Sequence, residues 1–200
     1  MKNILQWLTH PPVDGPKSTI YLRVMAGGVF FWEGILKFVY ANQGIGRFTK
    51  LGMPLPHFTA DFVACLEIVG GLLLLSGWLT RLIAIPFIAE MIVAILSTKI
   101  SLYLGTSPLP LPAAPPKVGM WAVLHEVRSE YAQLLTVLFL MINGPGRWSL
   151  DALFAKTLAK TLAKKFTKRL GKNLGEQEEG RGQLVAASRR KESANASAMV

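Results

Sequence analysis

Apolar stretches of membrane-crossing length dominate this chain and leave few folds open to it. Thr19–Ala41, Phe58–Trp78 and Leu82–Leu104 are each long enough, since about 20 helical residues cover the ~30 Å of a bilayer core. A fourth stretch, Val127–Asn143, is shorter and needs its polar outer turn to span. In lipid every backbone donor must find a partner within its own segment or barrel, and these continuous runs do not alternate as barrel strands do. The expected fold is all-α: an antiparallel bundle of four transmembrane helices. The composition agrees, with 51% hydrophobic and 17% charged residues and a mean hydropathy of +0.36. It excludes a disordered or collagen-like chain.

The divisions follow from that reading. Residues 1–18 form an N-terminal cytoplasmic segment. Its apolar patch (Ile4, Leu5, Trp7, Leu8) stops at Pro11-Pro12 and is too short for a cleaved signal, so it should lie on the membrane surface. Residues 19–150 form the membrane domain. With four spans both termini share a side, which then holds Lys2, Lys17, Arg81, Arg147 and the seven bases from Lys156 to Lys172, against Arg47, Lys50 and Lys117 opposite. The excess of Lys and Arg on the inner side predicts a multi-pass protein of the cell (inner) membrane with both termini cytoplasmic. Trp78 and Trp148 would anchor the inner interface and Trp121 the outer one. The proline-rich run 105–116 reads as an outer cap.

The net charge of +10 is concentrated at the end of the chain. Residues 151–175 place bases at 156, 160, 164 and 168 and apolar residues at 154, 158, 162, 166 and 170. This is a basic amphipathic helix. Lys156, Lys160, Lys164, Lys165, Lys168, Arg169 and Lys172 are expected to meet anionic lipid on the inner leaflet. Lipid, rather than nucleic acid, suits a chain with so apolar a body. Residues 176–200 are polar and rich in Gly, Ser and Ala, and are expected to be disordered.

Nine ionisable side chains fall inside the spans: Arg23, Lys37, Lys99, Arg128, Glu33, Asp61, Glu67, Glu90 and Glu130. A charge at the bilayer centre costs about 3 kcal/mol on insertion scales, so these groups should face one another inside the bundle. Spacing supports this. Arg23, Gly27, Phe30, Gly34 and Lys37 recur at helical steps, as do Ala60, Ala64, Glu67, Gly70, Gly71 and Leu74, and Pro86, Glu90, Ala94 and Ser97. Arg23, Glu33, Lys37, Glu67 and Glu90 form a candidate intramembrane ligand or proton site. Lys99, His125, Arg128 and Glu130 form a polar group toward the outer side. A purely structural pairing that fixes helix register is the competing reading.

Other chemistry finds no support. His125-Glu126 begins a zinc-protease pattern, but residue 129 is Ser. Gly44-Ile-Gly46 lacks the third glycine of a dinucleotide fingerprint. The single cysteine, Cys65, excludes an internal disulfide and a Cys-x-x-Cys pair. No metal, haem or flavin ligand set is recognisable, so no catalytic residue is assigned and electron transfer by the chain alone is not expected.

Five stretches together resemble the DoxX family of small four-helix membrane proteins. They are Arg23 with the glycines of the first helix, Gly34-Ile-Leu-Lys37, Gly52-Met-Pro-Leu-Pro56, Glu67-Ile-Val-Gly-Gly71 running to Gly77 and Thr80-Arg81, and Gly144-Pro-Gly-Arg-Trp-Ser-Leu-Asp151. The resemblance covers about residues 18–151. The family takes its name from a subunit linked to a terminal quinol oxidase, and relatives are associated with thiosulfate–quinone oxidoreduction and membrane redox-stress complexes. The resemblance therefore implies a small membrane subunit or accessory component of a quinone-linked respiratory or redox-stress complex, with quinone as its ligand and other redox subunits or a second copy as partners. A non-enzymatic scaffold or small-solute carrier is the alternative. The chain departs from the family in its long tail after Asp151 and in the charged segment His125–Tyr131.

Overall fold

The computed structural model describes residues 2–162, 164 and 165. The chain divides into two compact units, residues 1–155 and 156–200. In the first, α1 is Lys2–Thr9, α2 Thr19–Val39, α3 Ile45–Lys50 and α4 Pro56–Ser76. Next, α5 (Thr80–Ala94) runs through a π-helical turn, Ile95–Lys99, into α6 (Ser101–Leu104), and α7 (Met120–Glu126) leads into α8 (Arg128–Asn143). Residues 150–155 open a further helix. In the second unit, the described residues are helical and expose Lys156, Lys160, Lys164 and Lys165 together with Leu158 and Leu162. The expectations for Lys168, Arg169, Lys172 and the 176–200 tail lie outside the described residues.

The described residues contain helices and no strand. Two helices, Pro56–Ser76 and Thr80–Leu104, are long and apolar enough to cross a membrane. The other two long helices do not meet that test on length and composition: α2 carries Arg23, Glu33 and Lys37, and α8 has 16 residues. Local signals set the ends. Pro56 sits in the first turn of α4, and Gly77 closes it in the left-handed region at φ 67°.

The surface of the first unit is apolar and its interior is mixed. Tyr21, Trp32, Phe58, Val69, Ile85 and Leu96 are exposed, while Arg23, Glu67, Thr80, Arg81 and Gln133 are buried. A water-soluble helix arranges its side chains the other way.

The long helices pack as two hairpins, α2 with α4 and α5 with α8. Glycine sets the spacing of the first. A Cβ at Gly27 would lie 2.8 Å from the Gly71 carbonyl, and one at Gly71 would lie 2.7 Å from the Gly27 carbonyl, so the two backbones touch.

The hairpins are copies of one plan. Besides Thr19, the buried face of α2 is Arg23, Ala26, Gly27, Phe30 and Gly34; besides Arg81, that of α5 is Thr80, Ile83, Ala84, Phe87 and Met91, each 57 residues further on. Likewise Glu67, Gly70, Gly71 and Leu74 of α4 return as Gln133, Thr136, Val137 and Leu140 of α8, each 66 residues on. Phe30 and Phe87 stack ring on ring where the hairpins meet, 3.8 Å apart at 2°.

A similar set of hydrogen bonds closes both hairpins, one residue out of that register: Arg81 lies 58 residues after Arg23, and its acceptors lie 67 after those of Arg23. Arg23 Nε donates to the Leu74 carbonyl (3.0 Å) and its Nη2 to that of Leu75 (2.5 Å). Arg81 Nε donates to the Met141 carbonyl (2.8 Å) and its Nη2 to that of Ile142 (2.8 Å). In each case an arginine near the start of one helix supplies donors to carbonyls in the last turn of its partner. Arg23 Nη1 continues to the carbonyls of Pro145 and Trp148. Arg81 Nη1 reaches the Trp7 carbonyl at 3.0 Å, with its guanidinium 4.1 Å above the Trp7 ring. This holds α1 against the bundle.

The Gly144–Asp151 segment completes that end. Gly144 and Gly146 take φ values of 75° and 77°. Asp151 accepts from the Leu79 amide (3.1 Å) and from the Thr80 amide and hydroxyl (both 3.4 Å), capping α5. Burial pushes the Asp151 carboxyl above its ordinary value, against the pull of the Leu79 and Thr80 donors and the Arg23 charge.

A lysine cannot reproduce the planar fork of an arginine. Arg23→Lys and Arg81→Lys should therefore each cost about 2–3 kcal/mol through carbonyls left unpaired. Thermal melts in detergent should show both variants well below the parent and Lys17→Ala, at the exposed edge, near it.

Candidate functional site

Between the hairpins, toward the α3 end, lies a cavity of about 630 Å³. Its walls are mostly apolar, with Val29, Phe30, Phe62, Leu66, Met91 and Val93 among them. Into it come Glu33, Lys37, Glu67, Glu90, Lys99 and Glu130, drawn from α2, α4, α5 with its π turn, and α8.

Two ion pairs cross it. Lys37 Nζ meets Glu67 Oε2 at 2.5 Å, both side chains nearly buried. Gly34 makes this reach short: a Cβ there would lie 2.7 Å from the Ala64 carbonyl and 2.9 Å from Glu67 Cβ, so α2 and α4 nearly touch one turn below Lys37. Lys99 Nζ meets Glu130 Oε1 at 3.0 Å. The π turn that carries Lys99 and Thr98 follows directly on Ala94, and such turns recur at ligand sites. Glu90 lies beside Glu67, within the field of Lys37.

Other groups of the sequence reading lie elsewhere. Arg23 does not join the carboxylates. It lies 14 residues before Lys37, about 21 Å along a helix, and spends its donors on backbone carbonyls. The four-membered outer group also divides. Lys99 and Glu130 pair inside the cavity, whereas His125 and Arg128 are exposed. Arg128 donates to the His125 carbonyl one turn back, and His125 lines a separate surface hollow with Pro115, Pro116, Trp121 and Leu124. Asp61, expected to face inward, is exposed. At the start of α4 it reaches the surface without crossing an apolar layer.

Gln133 and Arg47 line the cavity without having been singled out. Gln133 is 7% exposed. The available signal was its place three residues after Glu130, on the same helical face, at the entrance to an apolar run.

Residues 18–100 match the model of the DoxX family. A protein of Mycobacterium tuberculosis, "Uncharacterized membrane protein Rv3486", is 40% identical over 149 residues, covering 72% of this chain and 85% of that protein. The chain belongs to the DoxX family. A second relative of this DoxX protein, "Putative oxidoreductase CatD" of Bacillus subtilis, is 37% identical over 134 residues, 67% of this chain and 84% of the relative. No solved structure matches. This DoxX protein is a membrane protein, in keeping with its apolar exterior. The family match takes in Lys37, Glu67, Glu90 and Lys99 and stops short of Glu130 and Gln133.

The Lys37–Glu67 pair can be tested by a double-mutant cycle. Lys37→Met or Glu67→Gln alone strands a charge or a polar group in low dielectric and should cost about 3–5 kcal/mol, while the pair of changes together should be near neutral. Folded yield and melting temperature in detergent report both. Losses that simply add would show the two residues to be uncoupled.

Proposed function

We propose that this DoxX protein is a four-helix, multi-pass protein of the cell (inner) membrane with both termini cytoplasmic, acting as a small membrane subunit or accessory component of a quinone-linked redox complex. The observation that carries the reading is the cavity of about 630 Å³ whose mostly apolar walls also carry Lys37, Glu67, Glu90 and Gln133. Its volume falls within the range of small-molecule sites, which pair an apolar lining with a few fixed polar groups. The Bacillus relative's printed name, an oxidoreductase, supports the redox part.

A quinone in this cavity would supply the redox chemistry. Its ring and tail would lie against Phe30, Phe62, Leu66 and Met91. Lys37 and Glu67 would hold one side of the site rigid, while Glu90 and Gln133 would orient the polar edge of the ring. At the cytoplasmic face, exposed Lys156, Lys160, Lys164 and Lys165, with Leu158 and Leu162 beside them, would rest on anionic lipid. Lys168, Arg169 and Lys172 would extend that face.

Two measurements test this reading. Reporter fusions after Lys2 and Gly175 should score as cytoplasmic and one near Ala113 as external; a cytoplasmic signal at Ala113 would sink the four-span arrangement. The chain purified in mild detergent should carry quinone in its organic extract and bring down redox subunits. An extract free of quinone, from cells rich in it, would count against the ligand.

A further inference from the structure

The internal repeat places unlike residues at matching positions in one cavity. In the first hairpin the ammonium of Lys37 satisfies Glu67. In the second, the counterpart of Glu67 is Gln133, and the counterpart of Lys37, 57 residues on, is Ala94. Alanine has no donor to give. Both Ala94 and Gln133 line the cavity. Gln133 Oε1 and Glu90 Oε2 are shut from the surface, and neither atom has a hydrogen-bond partner among the described residues. Lys99, the nearest candidate by sequence, is engaged by Glu130.

Gln133 Oε1 is an acceptor, and a buried acceptor is costly to leave unmatched.

We infer that the cavity takes a ligand with an apolar body and a hydrogen-bond-donating head, an ammonium or a hydroxyl. The head sits between Glu90 and Gln133, in the place that the Lys37 ammonium occupies in the other half of the repeat. A carbonyl or anionic head would set an acceptor against Gln133 Oε1 and is rejected. This inference rests on the cavity being a ligand site, and it narrows the ligand: of a quinone couple, the dihydroxy form binds and the dione does not.

The test uses the full chain in phosphatidylcholine nanodiscs, without oxygen, with empty discs as the reference. The probes share one tail: decylhydroquinone, decylbenzoquinone, decylammonium and decyl sulfate. At least one of the two donor-headed probes should be retained above empty discs, and neither the dione nor the sulfate should be. Gln133→Leu should weaken donor binding about tenfold. Ala94→Lys, which supplies an ammonium from the chain itself, should abolish it and raise the melting temperature. Should Ala94→Lys fail to fold, Gln133→Leu carries the test alone.

Retention of the dione or the sulfate as strong as that of the donors overturns the inference, as does donor binding unchanged in Gln133→Leu. Retention of the dione alone overturns it while leaving the quinone reading in place. Retention of decylammonium alone upholds the inference and removes the quinone. If no probe is retained, both readings fall.

Discussion

Every long helix in a membrane ends with carbonyls that its own turns cannot satisfy, and this protein answers the problem with arginine. Arg23 and Arg81 each present a planar fork to two successive carbonyls at the end of a neighbouring helix. A buried cation would be a liability in isolation. Against several carbonyl dipoles at the negative end of a helix it is compensated, and it ties two helices at a fixed height. The rest of the bundle depends on that height. It brings Gly27 level with Gly71 and Lys37 level with Glu67, and it stacks Phe30 on Phe87.

The division of labour between the two ends follows. One end is sealed by Arg23, Arg81, Asp151 and the Gly144–Asp151 segment, where almost every polar group has a partner. The other end encloses the cavity, where ion pairs coexist with two buried oxygens, Gln133 Oε1 and Glu90 Oε2, that have no partner among the described residues. Full satisfaction at one end gives rigidity. Partial satisfaction at the other, inside a low-dielectric wall, leaves polar groups open to a further partner.

Much of this was legible in the sequence. The long apolar runs and the glycine and proline at their ends gave helix limits close to those observed for α2, α4, α5 with its extension and α8. The need to neutralise charge in lipid, combined with helical spacing, brought Lys37, Glu67 and Glu90 together. The same rule misplaced Arg23, because it looks for an opposite charge and cannot see that carbonyls at a helix end serve instead. Gln133 escaped because a neutral amide raises no alarm in a charge count. The repeat was hidden for a related reason. The two copies conserve burial and geometry while changing chemistry: Gly27 becomes Ala84, Gly71 becomes Val137, and Glu67 becomes Gln133. Phe-x-x-Glu at 30–33 and 87–90 is the short identity that survives.

The glycine seam between α2 and α4 divides the molecule in its tolerance of change. At Gly27, Gly34 and Gly71 a single added methyl group would press on backbone of the facing helix, which cannot turn aside as a side chain can. At the matching places in the second hairpin the chain already carries Ala84, Met91 and Val137, and one aliphatic side chain can be exchanged there for another with local repacking. The first hairpin is therefore held to its close spacing, and the second has room to reshape the wall that the two halves share.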